Sequence, residues 1–328
     1  MKLSAIILWV TLVTALYYFK IISWLIIPWL PMSILGTAVA FYIGFKNNSA
    51  YDRTWEARKI WGAIVNASRT WGVSIIGFVG NQFRENHFES SELNEYHKRL
   101  IYRHIGWLYV LRKQLLIPTT WEGLGQSGRA RRIADARKKS FGTGLFETQI
   151  SNTEMSRYLS KEDLKKIDHS ANGATQLINL QSIALSQLRK EDLIDDFRHM
   201  QLQELLQELL NCQGKAERIK KFPLPRQYSS TSLLLTFIFI ILLPFGMASE
   251  FIKLGDLSMI LSVPFTILVC WVFVVMELVG DTTENPFQGL GNDIPMLSLC
   301  RTIEIDLLQA LEDNEIPSPI TEVNGILM

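Results

Sequence analysis

A chain of 328 residues with a formal net charge of +1 has no bulk electrostatic attraction to nucleic acid or acidic lipid, so nucleic acid is excluded as an expected partner. Its hydrophobic content of 48% is divided unevenly: residues 3–45 hold one charge, Lys20, and residues 230–276 hold only Glu250, Lys253 and Asp256. That division excludes an ordinary soluble globule.

A helix needs about 20 apolar residues to cross about 30 Å of hydrocarbon. Four stretches qualify, at roughly 3–26, 31–45, 231–249 and 257–279. The first follows Met1-Lys2, as a signal peptide would, but Tyr17-Tyr18-Phe19-Lys20 is a poor cleavage site. The second runs on past Phe45 with helical spacing, so one helix is expected from Pro31 to Trp71. Asn47 and Asn48 come directly after Phe45, and Tyr51-Asp52-Arg53-Thr54-Trp55-Glu56 mixes both signs of charge with aromatic rings. Polar groups at membrane depth are costly unless they line water or find partners. Asp52 can reach Trp55 and Glu56 on its own helix, and Arg53 can pair with a carboxylate elsewhere.

Two readings of this helix stand side by side. Its polar stretch can be a collar of Trp and Arg anchors at the interface. Alternatively, steps of four place Thr37, Phe41 and Phe45 on one face, with the small residues Gly36, Ala38 and Ala40 beside them. Several copies around an axis would turn that face into one hydroxyl-bearing ring and two aromatic rings, a hydrophobic constriction of the kind that gates by dewetting. Phenylalanine that faces lipid or packs in a core is the plainer alternative.

The region 46–229 carries 29 of the 33 Lys and Arg residues. Basic residues crowd the end of the second apolar segment and the start of the third. This puts the intervening region in the cytoplasm, together with both termini. Helical periodicity marks Tyr102–Leu116 as amphipathic, ended by Pro118. The basic, glycine-rich stretch from Trp121 to Gly144 reads as a surface loop with a solvated helical piece. Its Gly123–Gly128 spacing lacks the strand and helix of a phosphate cradle. Ser160 with Asp163 resembles a capping box, Asn172–Gln187 suits a helix packed among others, and the leucine pairs of Asp192–Lys215 suit a bundle seam. Pro223-Leu224-Pro225 closes the region. After the fourth apolar segment, Asp281–Phe287 is expected to break the helix. Met296–Leu311 forms a last amphipathic one, and Pro317–Met328 a poorly ordered tail.

Catalysis would need a nucleophile with a base, or a metal cluster. The histidines His87, His97, His104, His169 and His199 are scattered and read as solvated helix residues. The three cysteines, Cys212, Cys270 and Cys300, are far apart and read as small buried residues. No cofactor, metal site or enzymatic activity is expected.

The string Gly44-Phe45-Lys46-Asn47-Asn48-Ser49-Ala50-Tyr51-Asp52-Arg53-Thr54-Trp55-Glu56-Ala57-Arg58-Lys59-Ile60-Trp61-Gly62 resembles the signature of bacterial bestrophin homologues. Glu217-Arg218-Ile219-Lys220 through Tyr228, and Glu284-Asn285-Pro286-Phe287, agree with it in order and position. The resemblance covers nearly the whole chain. It implies an all-α fold, with four transmembrane helices plus a helical cytosolic domain, in a homopentamer around a central pore. The segments are then 1–45 (transmembrane helices 1 and 2 with the pore neck), 46–229 (cytosolic helical domain), 230–280 (transmembrane helices 3 and 4) and 281–328 (cytosolic C-terminal segment). The resemblance puts the neck on Thr37, Phe41 and Phe45, and a cytosolic aperture near Phe197. Asn47, Asn48, Asp52, Arg53, Trp55 and Glu56 form the helix-anchoring signature.

This chain departs from the family pattern in three ways. It begins almost at the first apolar run, where a cytosolic segment is usual. Thr37 replaces a branched aliphatic residue, which implies a wetter outer ring. Where animal members carry an acidic calcium clasp, this chain has Gln288-Gly289-Leu290-Gly291-Asn292-Asp293, too few carboxylates for calcium. The resemblance implies permeant monovalent ions, a lipid bilayer around the protein, the bacterial inner (plasma) membrane as location and self-association as the partnership. The aromatic neck matches the anion-selective members. Ring edges turned to the axis favour anions and ring faces favour cations, so chloride is expected. A sodium channel of the same fold and a non-conducting, membrane-anchored helical scaffold are the alternatives.

Overall fold

The computed structural model describes residues 3–22, 24–119, 122, 155–322 and 327. The stretch from Trp121 to Gly144, apart from Glu122, and the end of the tail therefore lie outside the described residues. Every regular element among the described residues is helical. The chain forms two compact units, with α2 (Trp29–Phe78) running from the first into the second.

The first unit comprises residues up to Arg53 together with Pro223–Asn285. It holds α1 (Leu3–Tyr18), the first half of α2, α7 (Arg226–Phe251) and α8 (Asp256–Thr283), where α4 to α6 belong to the second unit described below. The turn between α7 and α8 uses Gly255 at φ 107°, a conformation that favours glycine. Ile6 and Val10 of α1, Val39 and Ile43 of α2, Phe239 and Leu243 of α7 and Cys270 of α8 share one buried cluster.

Among the described residues, three helices are long and apolar enough to cross a membrane, at Trp29–Phe83, Gln227–Leu254 and Ser258–Thr283. The first apolar run is shorter than its sequence suggests: α1 has 16 residues, not the full stretch 3–26. Lys20 adopts a left-handed φ of 57° and the Tyr17 hydroxyl donates to the Leu25 carbonyl, so the chain turns immediately after Tyr18. α2 is longer than expected at both ends. Pro31 falls in its first turn, where a missing N–H costs nothing. The break expected from Asp281 also comes later, because Asp281 is still helical and ion-paired.

The second unit comprises Thr54–Thr119, residues 155–222 and those from Pro286 onward. It holds the second half of α2, α3 (Ser90–Leu116), α4 (Lys161–Asp168), α5 (Gly173–Lys190), α6 (Asp196–Lys221) and α9 (Met296–Ala310). Ser160 caps α4 by accepting from the Asp163 amide at 3.1 Å, but Asp163 does not complete the box; its carboxylate binds Arg103 at 3.0 Å. Asn172 caps α5. The α6 helix starts at Asp196 rather than Asp192, because Asp192 sits at φ 56° and Asp195 provides the cap. The expected seam of leucine pairs is narrower than predicted: Leu202, Leu206 and Leu209 are fully buried, Leu205 is half-buried and Leu210 is exposed.

α3 departs from amphipathicity. Every residue from His104 to Arg112 is buried, with α5, α6 and α9 packed around the helix. The solvated reading of His104 is therefore wrong. Its ring is 1% exposed and lies against Trp71 and Trp107, at 6.1 and 5.3 Å between ring centroids. Cys212, Cys270 and Cys300 are buried free thiols.

Candidate pore helix and its buried ion cluster

The first half of α2 is divided lengthwise. Met32, Val39, Ile43, Lys46 and Ala50 are buried at steps of three, four and seven, which is one helical face. The opposite stripe is open: Ile34, Thr37, Ala38, Phe41, Gly44, Phe45, Asn48 and Asp52 are exposed, Phe41 at 73%. A phenylalanine this open in a helix otherwise packed on apolar neighbours marks a surface awaiting cover. Thr37, Phe41 and Phe45 thus share one exposed stripe. The Thr37 hydroxyl donates to the Ser33 carbonyl at 2.9 Å, so its proton is held by its own helix and the oxygen remains as an acceptor. Phe45 packs against Tyr228 of α7, with centroids 5.1 Å apart.

Gly36 permits close approach, since a Cβ there would lie 3.0 Å from the Phe239 ring. Below the stripe, the signature residues diverge. Asn47 turns inward and its side-chain amide donates to the Met276 carbonyl at 3.1 Å, while Asn48 stays exposed. Arg53 donates to the Glu284 backbone carbonyl at 2.9 Å, with the Glu284 carboxylate close enough to interact electrostatically. Trp55 is half exposed, and Glu56 pairs with Lys59 at 2.6 Å.

The strongest polar feature was missed in the sequence. Lys46, with no exposed surface, binds Glu277 at 2.7 Å and also Asp281, both on one face of the last two turns of α8. Ser232 of α7 donates to the other Glu277 oxygen at 2.7 Å, so the cluster joins α2, α7 and α8. Two carboxylates at i, i+4 ending an apolar helix, and a lysine directly after the apolar run 31–45, were the available signals.

Gly280 lies between those carboxylates. A Cβ there would collide with the Asn47 side-chain oxygen and lie 3.2 Å from Lys46 Cε. Gly280→Val is expected to destabilise the protein by about 1–3 kcal/mol through overpacking, measured as a lower melting temperature in detergent. An unchanged melting temperature would show that the glycine is dispensable.

The sequence matches the family described as bacterial/fungal bestrophin protein over residues 1–309. The chain belongs to the bestrophin family. Among its relatives, the voltage-dependent anion channel-forming protein YneE of Escherichia coli is 27% identical over 290 residues, covering 88% of this chain and 79% of the relative. A voltage-dependent anion channel-forming protein of Nostoc is 26% identical, covering 96% of this chain and 88% of the relative. A crystal structure of a bacterial bestrophin homologue from Klebsiella pneumoniae superposes with a TM-score of 0.75 at 20% identity, covering 95% of this chain and 98% of that one. That likeness fixes the bestrophin fold.

In this bestrophin the segment after Phe287 closes on itself. Asp293 accepts from the backbone amides of Phe287, Gly289 and Ile294 at 2.7–3.0 Å, with Phe287 at φ 71° and Gly289 at φ 69°. Burial raises the Asp293 pKa above the ordinary carboxylate value. The carboxylate is thus engaged as a loop staple. Phe197, in the first turn of α6, is 83% exposed.

Proposed function

We propose that this bestrophin is a homopentameric anion channel of the bacterial inner membrane, passing small monovalent ions such as chloride. The observation that carries the reading is the exposed Thr37–Phe41–Phe45 stripe on a helix whose other face is fully packed. Five copies around an axis would cover that stripe and make it the neck. Phe197, exposed on the second unit, is the aperture residue in this reading. The four spans are α1, the start of α2, α7 and α8, with residues 46–229 and 281–328 in the cytoplasm beside both termini. Asn47, Asn48, Asp52, Arg53, Trp55 and Glu56 then hold the helix where membrane meets cytosol. That the relatives from Escherichia coli and Nostoc are named as anion channel-forming proteins supports the anionic choice.

Because Thr37 commits its proton to Ser33, the outer ring offers oxygen lone pairs rather than O–H donors. Anion preference would then rest on the positive edges of Phe41 and Phe45. Purified protein in planar bilayers under a chloride gradient should give a reversal potential of anion-selective sign. Phe41→Ala should raise conductance and shift that potential towards zero. A silent bilayer favours the scaffold reading, and a reversal potential of cation-selective sign favours the sodium reading.

A further inference from the structure

The second unit contains a cavity of about 610 Å³ between the first half of α3, the segment 156–160 and the start of α4. That volume lies in the range of small-molecule sites, about 300–1,000 Å³. Its lining has five cationic residues and two carboxylates. One carboxylate, Asp163, is occupied by Arg103, at 3.0 and 3.4 Å. Another lining cation, Arg157, is engaged outside the lining by Glu315 and Asp313, at 3.6 and 3.9 Å. Among the described residues, Lys98, Arg99 and Lys161 are left with no ion pair, facing the single uncommitted carboxylate Glu95. The cavity is therefore cationic after its internal pairs are set aside.

The lining also holds three tyrosines. The hydroxyl of each donates to a carboxylate outside the lining: Tyr96 to Glu191, Tyr102 to Asp313 and Tyr158 to Glu304. What remains for the cavity is the ring surface of the half-buried Tyr96 and Tyr102, Tyr158 being buried. Lys98 and Arg99 already lie over two of these rings, at 5.2 Å from Tyr102 and 5.4 Å from Tyr96. Aromatic walls with cations above them suit a ligand that carries a planar ring and a phosphate, since rings stack on tyrosine and phosphate oxygens accept charge-assisted hydrogen bonds. We propose that this cavity binds a nucleoside phosphate, making it a ligand site separate from the pore helix.

Phosphate could also come from a lipid headgroup or from the free ion, and the test separates these sources. The full-length protein in detergent is titrated by equilibrium dialysis with the common ribonucleoside monophosphates, inorganic phosphate, glycerol phosphate and the unphosphorylated nucleosides. At least one nucleotide should bind clearly more tightly than phosphate, glycerol phosphate or its own nucleoside. The double variant Lys98→Glu/Arg99→Glu should weaken it about tenfold or more, and Lys161→Glu, on a different element, should also weaken it. All three side chains are at least partly exposed, and an unliganded melting temperature equal to wild type checks the fold. Absence of nucleotide binding, equal binding of glycerol phosphate or inorganic phosphate, or affinity indifferent to both variants would overturn the assignment.

Discussion

Lys46→Met should cost about 3–5 kcal/mol, because removing one partner of a buried ion pair leaves uncompensated charge behind. Lys46 has no exposed surface, and Glu277 and Asp281 are 4% and 1% exposed. Without the ammonium, Ser232 remains as a hydrogen-bond donor to Glu277. Two carboxylates one helical turn apart would then repel each other in a weakly screening interior. The size of the loss should appear as a collapse of the folded, assembled peak in fluorescence-detected size exclusion after mild heating. The diagnostic step is rescue. Glu277→Gln/Asp281→Asn in the Lys46→Met background removes the stranded charge and should recover most of the stability, since a neutral substitute for a buried ion cluster can match it. A single variant as stable as wild type would show that the cluster carries no weight. A triple variant no better than the single would show that Lys46 acts through its packing alone.

The reason this cluster escaped sequence reading is physical. Lys46 is separated from its acceptors by 231 and 235 residues, and no local pattern encodes a contact over that distance. Taken alone, Lys46 fits the excess of positive charge at a cytoplasmic helix end, while Glu277 and Asp281 fit a helix emerging from an apolar run. Charge and burial together decide the matter, and burial comes only from packing. By contrast, the exposed stripe of α2 was legible because it depends on helical period alone. Thr37, Phe41 and Phe45 follow from steps of four, and their exposure is what the buried set Val39, Ile43 and Lys46 requires of the opposite face.

The Ser160 cap of α4 was equally local, while the Asn172 cap of α5, just as local, was not predicted. Ser160 and Asn172 each accept from an amide three residues ahead. The error at α3 has the opposite origin. Its arginines and lysines implied a solvated face, but a helix surrounded by other helices buries every side of its central turns. Burial then extends to Arg112, at 8% exposure, and to His104. The end of α1 was missed because hydropathy continues from Ile21 to Ile27 after the helix has stopped. A left-handed residue such as Lys20 leaves no mark on an apolarity profile.

His104 makes the stability of the second unit depend on pH. Desolvation lowers its pKa from 6.5 to about 3, and neither ring nitrogen has a hydrogen-bond partner among the described residues. Above pH 6.5 the imidazole is neutral in both folded and unfolded chains and contributes no pH dependence. Between 6.5 and about 3 the unfolded chain binds a proton that the folded chain does not. Stability therefore falls as pH falls, by about 1.4 kcal/mol per unit. Below about 3 both states are protonated and the slope from this residue ends. Asp293 works in the opposite sense: its raised folded pKa makes the folded chain hold a proton longer, so stability falls as pH rises through that window. Comparison of variants isolates the histidine. His104→Phe keeps an aromatic ring between Trp71 and Trp107 and removes the titration. Its denaturant midpoint should be less acid-sensitive than that of wild type from pH 6.5 to 4.5, whatever its absolute stability. Parallel curves over that range would mean that His104 is protonated in the folded protein, with a partner for its charge. The indole sandwich would then be holding a cation through its ring faces instead of excluding one.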